Sequence, residues 1–208
     1  MAQIKKEAVR KAILESARRH FMQRGYSRTT LAQIAKGAKV TISNIYNYFN
    51  SKLEIIYALY EPWLLERLEK LERELPPLAT PRQKLRQVIL AVLRDIPTDQ
   101  NGFANNVLQA ISTRDADEAY SRDLLLKSEA LVSAILARIL PGDRLWLIED
   151  DRFSHLLFMA FDGFAVNYKL NGPSRRVEAI ADLMCDLVLG PAPDLTGVPV
   201  GAEIEGIT

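Results

Sequence analysis

A single cysteine, Cys185, leaves the chain without an internal disulfide and fits a reducing compartment. Its apolar surroundings read as those of a small core residue rather than a nucleophile. Histidine is almost as scarce. His20 and His155 stand far apart, and neither lies in a metal-ligand motif. A glycine-rich phosphate loop is also missing. These absences argue against an enzyme, and no cofactor is expected. Long apolar runs are missing too: the longest strongly apolar one, Leu156 to Phe161, stops at Asp162, too short to span a bilayer. The segment from Met1 to Phe21 is charged throughout and lacks a signal peptide's apolar core. The expectation is a cytoplasmic protein.

Apolar residues are plentiful at 48%, enough for a sizeable core. The net charge of +1 conceals a strong asymmetry. Residues 1–52 carry 11 Lys or Arg against two acids, Glu7 and Glu15, a net +9. Residues 53–208 carry 16 basic and 24 acidic residues, a net −8. A basic module on an acidic body points to a polyanion at one end of the molecule. Charge alone fits a solvated basic helix equally well.

Helical periodicity dominates the pattern. Val9, Ile13, Ala17 and Phe21 form one stripe, predicting a helix from about Lys5 to Arg24 that Gly25 ends. Thr30 and Gln33 have capping-box spacing, and Leu31, Ile34 and Ala35 give a short helix that Gly37 should stop at once. Thr41 can cap a third helix, with Ile45 and Phe49 on its core side. Ser51, with Glu54 three residues on, can cap a fourth that runs to Leu75 and is interrupted or kinked at Pro62. Further helices are expected near Pro81–Asp95, Phe103–Ser112, Ala116–Leu140, Asp151–Leu170 and Ser174–Leu189, separated by Pro and Gly. No repeat and no convincing strand signal is present.

Two short helices joined by a tight turn are a weak signal of helix-turn-helix. The surrounding series is more specific: Ala17 and Phe21, Gly25-Tyr26, Thr29-Thr30, Ile34-Ala35, Val40, Ile45-Tyr46, Phe49 and Ser51-Lys52. From about Ala8 to Tyr57 the chain resembles the N-terminal domain of the tetracycline-repressor family of bacterial transcriptional regulators. The resemblance implies an all-α protein. Residues 1–52 would form a three-helix helix-turn-helix DNA-binding domain, and residues 53–189 a larger helical ligand-binding and dimerisation domain. Residues 190–208, rich in Gly and Pro, read as a loosely ordered tail. It also implies a homodimeric repressor released from DNA by a small molecule. Two departures stand out. Lys39 occupies a position where the family usually has glycine, which costs roughly 1 kcal/mol if that residue needs positive φ, unless the turn is shifted. Asn44 stands where a small hydroxyl residue is common.

On this reading Thr41 to Phe49 is the recognition helix, placed in a major groove of double-stranded DNA. Thr41 and Ser43 offer hydroxyls, Ile42 suits a thymine methyl, and Asn44 suits bidentate pairing with adenine. Asn47, one turn beyond Ser43, shares their face. The resemblance places Tyr46 and Tyr48 at the phosphate backbone; Tyr48 equally suits packing beneath the helix. Thr30 and Lys52 lie at helix starts, where backbone N–H groups and the helix dipole favour phosphate. Arg28, Lys36 and Lys39 add field. So short a reading helix calls for a two-fold dimer on an inverted repeat, with half-sites about 34 Å apart or farther.

The body is rich in aromatics, which line cores more often than pockets. Trp63, beside Pro62 on the connecting helix, is the first choice for a pocket that takes a small, largely apolar molecule. Phe103, Tyr120, Phe158 and Asp162 follow. Asp162 interrupts an apolar helix and needs a partner or solvent. The resemblance places the homodimer face on the last two long helices. There Leu156, Ala160, Gly163 and Asn167 recur near one turn, and Ala179, Ile180, Leu183, Met184 and Leu187 form a stripe. A protein that uses its helix-turn-helix merely as scaffold is the rival reading, and the +9 segment speaks against it.

Overall fold

The computed structural model describes residues 2–99, 102–114 and 122–191, with side chains from residue 6 onward. Every regular element among them is helical. Helix α1 (Ala2–Arg24) buries Ile13, Ala17 and Phe21, and Gly25 ends it at a φ of 79°. Helix α2 (Leu31–Ala38) opens on the expected capping box: the Thr30 hydroxyl accepts from Gln33 N–H, and the Gln33 amide oxygen accepts from Thr30 N–H.

Gly37 does not stop α2; the helix runs through it to Ala38. Its role is spacing. A Cβ there would stand 2.3 Å from Ser16 Oγ and 3.3 Å from His20 Nε2. Ser16, fully buried on α1, donates its hydroxyl to the Ile34 carbonyl at 2.8 Å. The absent side chain lets the two helices meet closely enough for that bond. The turn then falls on Lys39, which is left-handed at φ 57°, ψ 40° and donates its N–H to the carbonyls of Ala35 and Lys36. The turn is not shifted, so the lysine bears the conformational cost.

Helix α3 (Ile42–Tyr46) is shorter than the expected Thr41–Phe49 span. Thr41 caps it by accepting from Asn44 N–H, and Asn47 to Phe49 follow as a tight turn closed on the Ile45 carbonyl. Helix α4 (Lys52–Glu74) is capped by Ser51 and passes Pro62 without interruption.

Helix α5 (Pro81–Leu90) continues into a widened π-helical turn, Ala91–Asp95. Helices α6 (Phe103–Ser112), α7 (Asp123–Ala137), α8 (Arg152–Asn171) and α9 (Val177–Leu189) complete the body. Between α7 and α8 lies a 3₁₀ stretch, Gly142–Asp151, with positive φ at Asp150 and Asp151. The sequence pattern gave no hint of it, because none of its residues is buried. Helix α9 lies along α5 and is tied to it by Arg82–Asp186 at 2.5 Å and by Arg86 to Asp182 and Glu178 at 2.7 and 2.5 Å. Buried apolar side chains form one continuous cluster from Ile13 to Val188. Among the described residues no helix is long and apolar enough to cross a membrane. Tyr120 and the tail beyond Pro191 lie outside the described residues.

Candidate nucleic-acid interface and internal cavity

The α2–α3 unit presents one face outward. Thr41, Ile42, Ser43, Asn44, Tyr46 and Asn47 are exposed, while Ile45 and Phe49 point into the core. Ile42 is 43% and Tyr46 55% exposed, a large apolar investment in solvent for so small an element. The Asn47 side-chain amide donates to Asn44 Oδ1 at 3.3 Å, which holds the two amides side by side on this face. Thr30 is exposed, its hydroxyl already engaged as a cap. Tyr48 is half-buried and packs against the core, the second of the two roles its sequence position allowed.

Lys52 makes contacts that its sequence position does not reveal. Its ammonium donates to the carbonyls of Tyr26 at 3.1 Å and Thr29 at 3.0 Å, and it lies 4.1 Å from the centre of the Tyr26 ring. It pins the loop between α1 and α2 to the start of α4. A helix-start lysine signals phosphate on sequence alone; the carbonyls that engage it are brought close only by the fold.

The body holds a half-open cavity of about 200 Å³. Its walls come from α4 (Tyr57, Tyr60, Leu64), α6 (Val107, Leu108, Ile111), α7 (Leu124, Ser128) and α8 (Phe158, Phe161, Asp162). Phe158 and Asp162 are therefore where the sequence placed them. Trp63 and Phe103 are not. Their rings meet edge to face at 5.5 Å and lie 5.6 and 6.5 Å from the Tyr60 ring, outside the cavity lining. They are packing, and the Arg67 guanidinium covers Trp63 at 5.8 Å. Sequence reasoning missed Ser128, whose buried hydroxyl has no partner among the described residues. A serine on the buried side of an apolar helix was the available signal.

Burial pushes the Asp162 carboxyl above its ordinary pKa. Burial, together with Asp162 and Tyr57 nearby, likewise raises the Tyr60 phenol and keeps it protonated. The two histidines do not meet in a site: His20 lies against Gly37, and His155 Nδ1 is 2.7 Å from Glu129 Oε1. Cys185 is fully buried, and burial raises its thiol.

A second contact joins the two parts of the chain. Gln109 of α6 accepts from the backbone N–H and hydroxyl of Ser27 at 3.5 and 3.4 Å. Helix α6 thus touches both the cavity and the loop that Lys52 holds.

A three-helix unit with an outward-facing third helix, set on a helical body that holds a cavity, defines a helix-turn-helix protein. Residues 13–59 match the model of the tetR family of bacterial regulatory proteins. It is 42% identical over 97 residues to the probable transcriptional regulator ArpR of Pseudomonas putida, and 41% identical over 97 residues to the regulator TtgR of the same species. Each match covers 44% of this chain and 46% of the relative, so the likeness spans just under half the length of either. The fold extends further. The crystal structure of Thermus thermophilus FadR, a TetR-family repressor in complex with lauroyl-CoA, superposes with a TM-score of 0.65. That match covers 92% of this chain and all of the other, at 21% identity, and establishes the fold alone.

Proposed function

We propose that this chain is a homodimeric, cytoplasmic transcriptional repressor that binds a palindromic operator and is released by a small, largely apolar ligand. Residues 1–52 are the reading head and 53–189 the sensing and dimerisation body. The observation that carries this is the course of α4. Its first residue, Lys52, grips the head loop at Tyr26 and Thr29, and its next turns supply Tyr57, Tyr60 and Leu64 to the cavity wall. Tyr57 lies about 7.5 Å along the axis from Lys52, so a ligand that shifts this wall shifts the head. Gln109 offers a parallel route through α6. The same fold in FadR is that of a transcriptional repressor in complex with lauroyl-CoA, which supports this reading of the body.

For the dimer, α8 and α9 offer an exposed apolar stripe. Leu156, Val166 and Leu170 are 54%, 46% and 75% exposed, Leu183 and Leu187 55% and 74%. The polar side of α9 is already engaged by the arginines of α5.

The test is selection of bound sequences from random duplexes, followed by anisotropy titrations. An inverted repeat should emerge, with affinity falling by about 0.9 in log K per log salt for each phosphate neutralised. Asn44→Ala should relax one base pair in each half-site at a cost of about 1–3 kcal/mol. Recovery of no preferred sequence, or binding indifferent to salt between about 50 and 200 mM, overturns the proposal.

A further inference from the structure

We infer that the cavity is built for an apolar molecule bearing one amine, whose ammonium docks on Asp162 and Ser128; this rests on the reading of the cavity as the effector site. Asp162 is the one ionisable carboxylate among the lining residues, and it has no hydrogen bond or ion pair among the described residues. Several arginines of the body are engaged elsewhere: Arg67 with Asp99, Arg82 and Arg86 with α9, Arg138 with Glu72. A carboxylate drawn partly out of water with no cation to meet it is costly, and the cost falls when a cation arrives. Burial already disfavours its charged form, in keeping with a missing counter-charge.

Ser128 is the second, independent observation. It is 1% exposed, its hydroxyl has no partner among the described residues, and it faces the same space from α7. A hydroxyl accepts from an ammonium as readily as it donates. The remaining lining is largely aromatic and aliphatic, and it suits the hydrocarbon part of the molecule while the faces of Tyr57 and Tyr60 favour a neighbouring cation. A carboxylate-bearing ligand meets the opposite situation: its charge would be set beside another carboxylate in a poorly solvated space.

Three probes of one shape and different charge decide this: 3-phenylpropylammonium, 3-phenylpropanol and 3-phenylpropanoate, titrated into the full chain at neutral pH and followed by calorimetry and ligand-observed NMR. The amine should bind at least about tenfold tighter than the carboxylate, with the alcohol between them, a difference of about 1.4 kcal/mol. Asp162→Asn, close in shape, should bring amine and carboxylate to within about threefold, and Ser128→Ala should weaken the amine alone. The ranking on the unaltered chain stands whether or not either variant folds. If all three probes bind without regard to charge, the cavity remains an effector site and the inference about its ligand fails. If none binds, the cavity reading fails and the inference with it. If Asp162→Asn changes the dimer's dissociation but not the ranking, the carboxylate serves a second copy of the chain and the inference is overturned.

Discussion

Gly37→Ala tests whether the reading head is assembled around a missing side chain. In an ordinary helix interior this change stabilises by about 0.5–1 kcal/mol, because alanine loses less backbone freedom. Here the new Cβ lands 2.3 Å from Ser16 Oγ. Ser16 is fully buried and its hydroxyl is held on the Ile34 carbonyl. Turning the hydroxyl away leaves it unsatisfied at about 1–3 kcal/mol, and parting the helices instead costs about 1–3 kcal/mol of overpacking. Net of the helix gain, a loss of about 2 kcal/mol is expected. Ser16→Ala removes the obstacle: the nearest α1 atoms are then the His20 ring at 3.3 Å and the residue-16 Cβ at 3.4 Å, contacts that a small shift accommodates. In that background Gly37→Ala should be neutral or slightly stabilising. Urea unfolding of the four proteins at one protein concentration gives the coupling, expected near 2 kcal/mol. A coupling below about 0.5 kcal/mol, or a stabilised single variant, would refute the argument that glycine serves close approach here.

Lys39→Gly should raise stability by about 1 kcal/mol by relieving the left-handed backbone, whereas Lys39→Ala should not; urea midpoints compare them. Lys52→Met should cost about 1–3 kcal/mol of stability, leaving the two carbonyls and the Tyr26 ring unmatched, with the salt slope of operator binding unchanged. A slope reduced by about 0.9 at unchanged stability would return Lys52 to the phosphate contacts. Trp63→Ala should lower stability by about 2–3 kcal/mol and leave probe binding to the cavity nearly intact, as expected of a ring packed outside the cavity lining. Arg86 holds the carboxyls of Asp182 and Glu178 below their ordinary range by hydrogen bonds. A lowered folded pKa gives stability that is present above the ordinary value and lost as pH falls through the lowered one. Melts from about pH 5 downward should therefore decline less steeply in the Asp182→Asn, Glu178→Gln double variant.

The head is legible in the sequence because its determinants are local. Thr30 with Gln33, Thr41 with the N–H of Asn44, and Ser51 with the N–H of Glu54 each act within three residues, so spacing alone reveals them. Ile45 and Phe49 follow from a single helical face. The misreading of Gly37 and the unforeseen contacts of Lys52 share one cause. Gly37 looks like a breaker until Ser16 is placed against it, and Lys52 looks free until the carbonyls of Tyr26 and Thr29 arrive beside it. Both depend on residues about 20 positions away in the chain, which no local rule reaches.

The body shows the same limit more sharply. Trp63, Phe158 and Phe161 are all aromatics within apolar helical patterns, and nothing local separates a ring that fills space from a ring that borders it. That distinction is fixed by where four helices fail to meet, and it excludes Trp63 while admitting Phe158. Polar residues are different, since a polar group on an apolar face is an anomaly wherever the helices end up. Asp162 was visible in this way, and Ser128, in the run Leu124 to Ala137, carried the same mark. The chemistry of a pocket is therefore more legible than its walls: the aromatic residues report only that the body is well filled, while the two misplaced polar groups say what a ligand must bring.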